Sequence, residues 1–268
     1  MAVVRSNVRH IGGVSTRMSV SFREKLSSAL GTLPKYNVIT YIDGFNLYFG
    51  IRREAIKKGS LTEPDPTWYR DMWLDLHAMC SRMLTVRQQL VAIKYFTAPI
   101  IGRKGKQERQ NAYLDALRTL PQVEIIFGRF EPDRKDCDKC GHPAYHPQEK
   151  KTDVNIATAL ICDALDEKYD TAIIVTGDSD LVPALQAVKR LRPDKRFIAA
   201  FPPNRYSKEM QDTTGMEPIR IWEPLLRKSR LPAIIKREGL PDLVRPEKYS
   251  GKPGCTSSAT TEGTKDQD

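Results

Sequence analysis

Four aspartates carry the most specific chemistry that this sequence offers: Asp43, Asp153, Asp178 and Asp180. Asp43 closes the apolar run Val38 to Ile42, while Asp178 and Asp180 follow the run Ala172 to Thr176 within a G-D-S-D segment. Neither of these two groups has a neutralising base nearby in sequence. Converging carboxylates without such a partner repel one another, and a divalent cation is the usual resolution. Asp153 opens a helical stretch, where an acid also suits the helix macrodipole or serves as N-cap. Asn46, in the run Asp43, Gly44, Phe45, Asn46, reads equally well as the cap of a strand-to-helix turn. Asp163 lies ten residues after Asp153, within about 80° of its helical face, so it either lines the same site or is solvated. The four histidines sit apart from any serine- or cysteine-type constellation: His10 in the amino-terminal extension, His77 on an apolar-rich helix, His142 and His146 beside Cys140.

These acids are useful only if the fold gathers them. The apolar, β-rich runs Val38 to Ile42, Leu90 to Thr97, Val123 to Phe130, Ala172 to Thr176, Phe197 to Phe201 and Ile219 to Trp222 are the expected strands. Between them, Trp68 to Leu84, Gln107 to Leu120, Val154 to Leu165 and Leu181 to Leu191 place apolar residues at helical spacing. That alternation predicts an α/β fold: a doubly wound, Rossmann-like, mainly parallel sheet of about six strands, with helices on both faces. In such a sheet the ligand sits beyond the carboxyl ends of the strands, where strand order reverses. Asp43, Asp178 and Asp180 all fall at carboxyl ends. If the first and fourth strands are neighbours across the switch point, these acids share one crevice.

The chain has 268 residues, with 43 Lys and Arg against 33 Asp and Glu, a net charge of +10. The excess favours polyanionic partners through counterion release. Its apolar runs are far shorter than the roughly 20 residues needed to cross a bilayer, so no membrane partner is expected. Five cysteines, an odd number in a chain without a secretory apolar segment, argue for a reducing compartment, with the cytoplasm as the expected location. Residues 1–36 read as a basic, disordered extension, 37–248 as the folded domain with an insertion at 131–149, and 249–268 as a disordered tail lacking large apolar residues.

An apolar strand ending in D-G-F-N, a later helix opening K-T-D-V and a strand ending T-G-D-S-D-L together resemble the NYN domain, a branch of the PIN-like nuclease superfamily, and more narrowly its LabA-like bacterial members. The resemblance runs from about Val38 to Trp222. It implies a metal-dependent ribonuclease whose Asp43, Asp153, Asp178 and Asp180 hold Mg²⁺ or Mn²⁺, with Asn46 as a neighbouring polar residue of the catalytic site and RNA as the partner. Thr176 stands where many relatives have Ser and keeps the hydroxyl; Thr176 and Ser179 are expected on the substrate side. A homodimer is left open. The other reading is an RNA-binding or scaffold module that keeps the fold with little or no catalysis.

After the Leu90 strand, Gly102, Arg103, Lys104, Gly105 and Lys106 are followed by Arg109, Gln110 and Tyr113. Lys104, Lys106, Arg109 and Gln110 are candidates for holding RNA phosphates, since such contacts position a backbone without reading sequence. Similar chains carry R-Q-x-x-Y here, and Tyr113 is expected to pack. In the insertion, Cys137, Cys140, His142 and His146 give C-x2-C-x-H-x3-H. The reduced pair Cys137 and Cys140 could grip a structural Zn²⁺, although the spacing is tight for one tetrahedral site. Cys80 and Cys162 read as core thiols on helices.

Overall fold

The computed structural model describes residues 35–59, 65–101, 104–136 and 143–250, with the backbone alone for Pro66, 131–136 and 143–149. Six parallel strands form the sheet: β1 (Tyr36–Asp43), β2 (Gln88–Thr97), β3 (Val123–Phe127), β6 (Thr171–Val175), β7 (Arg196–Phe201) and β8 (Ile219–Arg220), in the order β3-β2-β1-β6-β7-β8. The chain winds outward from β1 through β2 to β3, then returns to the other side of β1. The reversal therefore lies between β1 and β6, the first and fourth strands of the sheet, where Val38–Ile42 run beside Thr171–Val175.

Residues of β1 alternate between two cores, as the two-residue period of a strand requires. Val38 and Ile42 face a layer built from α1 (Gly44–Lys58), α3 (Leu76–Met83) and α4 (Lys104–Arg118). Ile39 and Tyr41 face α5 (Thr152–Leu165), α6 (Val182–Leu191) and α7 (Lys208–Thr214). Helix α1 was not among the helical stretches expected, yet its sequence holds the signal. Leu47, Ile51 and Ala55 recur every four residues and are all buried. Each fully buried Leu or Ile contributes about 1.5–3 kcal/mol, enough to hold a helix whose Gly44 and Gly50 weaken its propensity.

Three other expectations are corrected. Trp68 to Leu84 is broken: α2 (Pro66–Tyr69) and a short 3-10 turn (Arg70–Met72) end at Trp73, and α3 starts afresh with Asp75 accepting from Ala78 N at 2.7 Å. Trp73 is held out of helical line by its indole N–H, which donates to Pro232 O at 2.8 Å. Val123 to Phe130 is two strands. Gly128 N donates to Thr97 O at 2.8 Å, and beyond it β4 (Arg129–Asp136) turns away to pair antiparallel with β5 (Pro143–Lys150). The expected interruption is therefore a hairpin. Cys137, Cys140 and His142 fall outside the described residues, and only the backbone of His146 is described.

Candidate functional site

Asp43 is the last residue of β1 and the N-cap of α1, its Oδ1 accepting from Asn46 N at 2.9 Å. The cap is thus Asp43 rather than Asn46. The Asn46 side chain instead reaches across the switch point, its Oδ1 accepting from Gly177 N at 3.1 Å. Thr176, fully buried at the end of β6, donates its hydroxyl to Asp43 Oδ2 at 3.1 Å and accepts from Asp178 N at 3.1 Å. Asp178 in turn accepts from Asp180 N at 3.0 Å and caps the 3-10 turn Ser179–Leu181 that leads into α6. A side chain at Gly177 would force the neighbouring backbone to shift, because a Cβ would stand 2.8 Å from the Arg205 carbonyl carbon. The expected strand-end acids are therefore brought together by a chain of bonds running from Asn46 to Gly177 and from Asp43 through Thr176 to Asp178.

Asp153 joins them from the first turn of α5, one residue inside the start, with Lys151 at the N-cap position in a left-handed conformation, φ 75°. Asp153 is therefore not the cap, although it retains the favourable place near the helix's positive end. Asp43, Asp153 and Asp178 line one crevice of about 220 Å³ together with Asn46, Lys151 and Arg205. Burial raises the Asp43 carboxyl to about 6; the Asn46 amide and Thr176 hydroxyl oppose that rise, and Asp153 and Asp178 add to it by repulsion. The Asp153 carboxyl is raised by burial, then by Asp178 and Asp180. Asp43 thus feels Asp153 and Asp178, and Asp153 feels Asp178 and Asp180; Asp180 itself is exposed and is not part of the crevice lining.

Among the described residues, no group of three or more His, Cys, Asp or Glu side chains is drawn together tightly enough to form a ready metal cage. The donor chemistry nevertheless fits a hard divalent cation: every candidate atom is a carboxylate oxygen, and the repulsion that raises Asp43 and Asp153 is what a cation relieves. Two bases do share the crevice, Lys151 and Arg205. Arg205 follows the carboxyl end of β7, and its Nε is buried with no hydrogen-bond partner among the described residues. Burial and the Arg53 charge lower its affinity for the proton, while Asp43 and Asp178 raise it. Arg205 was missed because it is far from the acids in sequence, although the rule that ligands meet strand carboxyl ends applies to β7 as well.

Asp163 belongs elsewhere. It neither lines the crevice nor is solvated. It is 1% exposed near the carboxyl end of α5, accepting from Tyr41 Oη at 2.8 Å and pairing with Lys94 Nζ at 2.6 Å and Lys168 Nζ at 3.1 Å. Burial works to raise its carboxyl, but the bonds from Lys94, Tyr41 and Lys168 outweigh it and hold the group below the ordinary value.

The basic stretch on α4 divides. Gln110 is engaged by its own loop: its amide donates to Ala98 O at 2.8 Å and its Oε1 accepts from Ile100 N at 2.7 Å. Tyr113 packs, its hydroxyl donating to Leu74 O at 3.0 Å. Lys104 is exposed, and Ser179 is half-buried at the start of its turn. Lys106 and Arg109 line a second cavity, of about 270 Å³, which shares Phe45 and Phe49 with the acidic crevice. Its walls include Tyr48, Tyr95, Tyr113 and Phe130, and Arg52, Lys248 and Tyr249 complete it. Tyr249, taken from sequence as the edge of the tail, is buried.

The chain is similar to known proteins. The 6-hydroxy-3-succinoylpyridine 3-monooxygenase HspA of Pseudomonas putida is 28% identical over 253 residues, covering 80% of this chain and 75% of its own length. A solved structure of a protein of unknown function from Vibrio parahaemolyticus is 19% identical with a TM-score of 0.43, covering 70% of this chain and 94% of that one. The NYN domain pattern matches residues 37–216, from β1 to just past α7 and including every aspartate of the crevice, and the chain belongs to the NYN domain family.

Proposed function

We propose that the protein is a metal-dependent ribonuclease, hydrolysing RNA phosphodiesters at the crevice lined by Asp43, Asp153 and Asp178, with Asp180 as a fourth acid of the site. The observation that carries this reading is the convergence of Asp43, Asp153 and Asp178 in one crevice at the β1/β6 switch point, with Asp43 raised to about 6 by burial and by its acidic neighbours. Membership of the NYN family supports a nuclease-like hydrolase. The D-G-F-N, K-T-D-V and T-G-D-S-D-L segments support the narrower LabA-like, PIN-like placement. Asp43, Asp153, Asp178 and Asp180 would hold Mg²⁺ or Mn²⁺, which when bound supplies an acidified water and neutralises phosphoryl charge. Thr176 and Asn46 keep Asp43 in place across the switch point. Arg205, a half-buried base of the crevice, is suited to pair with a phosphate oxygen, and Lys106 and Arg109 to hold the backbone nearby. The free thiols Cys80 and Cys162 suit a reducing, cytoplasmic setting.

The test is cleavage of labelled RNAs and DNAs by purified protein with Mg²⁺ or Mn²⁺, beside Asp178→Asn and Asp43→Asn. Metal-dependent RNA cleavage lost in both variants is expected; activity surviving both substitutions sinks the site. The absence of a ready three-ligand group among the described residues favours a second reading, an RNA-binding or scaffold module. RNA binding without cleavage under either metal would select it. The Pseudomonas relative raises a third reading, oxygen transfer to a small substituted pyridine, which the aromatic cavity beside Phe45 favours. Oxygenation of such a ring with O₂ and a two-electron reductant supplied, unaffected by Asp178→Asn, would select that one.

A further inference from the structure

The aromatic cavity holds more chemistry than the proposed cleavage uses. Its walls include Tyr48, Tyr95, Tyr113 and Phe130, and its volume is about 270 Å³. A cavity of roughly 150 Å³ accommodates benzene, so this one has room for a substituted ring. Four cations, Arg52, Lys106, Arg109 and Lys248, contribute to the same lining. Burial lowers the proton affinity of Lys248, and Arg109, Arg52 and Lys106 lower it further by repulsion. Like charges gathered around one space are relieved by an anion.

Asp71 also contributes to the lining, but its Oδ1 accepts from Arg230 Nε at 2.6 Å, so that its charge is already engaged outside the group of four cations. We propose that this cavity is a binding site for a planar aromatic ring carrying an anionic group that Arg52, Lys106, Arg109 and Lys248 hold. Stacking against aromatic side chains contributes about 1–3 kcal/mol per ring, and the charged group fixes its orientation. Two sources share this chemistry: a nucleotide, with its base as the ring and its phosphate as the anion, and a free aromatic carboxylate. The proposal stands on the cavity alone and is independent of cleavage at the crevice.

The test is calorimetric titration of the full chain, in chelator and without RNA. One arm uses uridine monophosphate beside uridine; the other uses 4-hydroxybenzoate beside phenol and beside benzoate. In at least one arm the charged ring is expected to bind about tenfold or more tightly than its uncharged partner, the scale of a hydrogen bond to a charged group. Lys248→Gln and Arg52→Gln should each remove most of that difference, whereas Lys208→Gln, which deletes an equal charge from an exposed position outside the cavity, should leave it intact. Binding in the nucleotide arm assigns the ring to RNA, and binding in the carboxylate arm assigns it to a free small molecule. The proposal is overturned if neither arm binds, if charged and uncharged rings bind alike, or if Lys248→Gln and Arg52→Gln, with thermal melts like wild type, behave as Lys208→Gln does. Benzoate, which keeps the ring and the anion, is expected to bind with 4-hydroxybenzoate rather than with phenol.

Discussion

Asp43 and Asp163 are both buried aspartates bonded to groups beside or on β1, and the protein treats them in opposite ways. Asp163 is enclosed by Lys94, Lys168 and the Tyr41 hydroxyl, which together outweigh its burial and keep its carboxyl low. Asp43 receives an amide from Asn46 and a hydroxyl from Thr176, and its charged neighbours include two further aspartates, so its carboxyl is raised to about 6. The first arrangement is complete within the chain. The second leaves negative charge for something outside the chain to neutralise, which is how a structural acid differs from one suited to hold a ligand.

The largest effect should separate the two in catalysis. Asp43→Asn is expected to lower RNA cleavage by about 10³-fold, the scale of losing a group that organises charge at the reacting centre. Asp163→Asn should leave the rate per folded molecule unchanged in the same gel assay. Equal losses would erase the distinction.

Stability should then rank them the other way. Asp163→Ala strands Lys94, whose side chain is 13% exposed, and breaking a buried pair costs roughly 3–5 kcal/mol. Urea unfolding reads this directly, and a loss below about 1 kcal/mol, a fraction of that expected cost, would show the pair to be dispensable. In chelator at about pH 7, Asp43→Asn should instead stabilise, by on the order of 2 kcal/mol. The sign follows from the folded carboxyl lying at about 6 against an ordinary 3.8: the folded state binds the extra proton between these values, so stability falls as pH rises through that window. The gain from Asn should therefore vanish below pH 3.8. Added Mg²⁺ should raise the melting temperature of wild type but not of this variant. Asp163 has the opposite dependence, because its carboxyl is lowered. Its contribution is present above the ordinary 3.8 and is lost as pH falls through its folded value.

The smallest expected change tests the shape of the crevice. Gly177→Ala forces a methyl against the Arg205 backbone and should cost about 1–3 kcal/mol as overpacking. It should also weaken cleavage by displacing Arg205. Wild-type melting and cleavage in this variant would mean that the Arg205 turn yields freely.

The parts legible in the sequence are those set by local pattern. Apolar runs located all six sheet strands, and strand ends located Asp43 and Asp178, because a strand's carboxyl terminus is written in consecutive residues. The neighbours of these acids were not legible. Lys94 reaches Asp163 from 69 positions away, and Arg205 reaches the crevice from the turn after a different strand. Helix α1 was overlooked because glycines and basic residues interrupt its apolar stripe, although Leu47, Ile51 and Ala55 keep helical spacing. The roles of Asn46 and Gln110 were hidden for a related reason: each amide bonds a backbone group that only folding brings near.

Lys248 and Tyr249, which help to line the aromatic cavity, lie more than thirty residues beyond the segment that matches the NYN family, whereas Asp43, Asp153 and Asp178, which line the crevice, lie inside it. Substitutions in the carboxyl-terminal segment can therefore reshape one compartment while the other keeps its chemistry. A shared family scaffold can in this way acquire new small-molecule preferences by exchanging an appendage, without altering the residues that define the family.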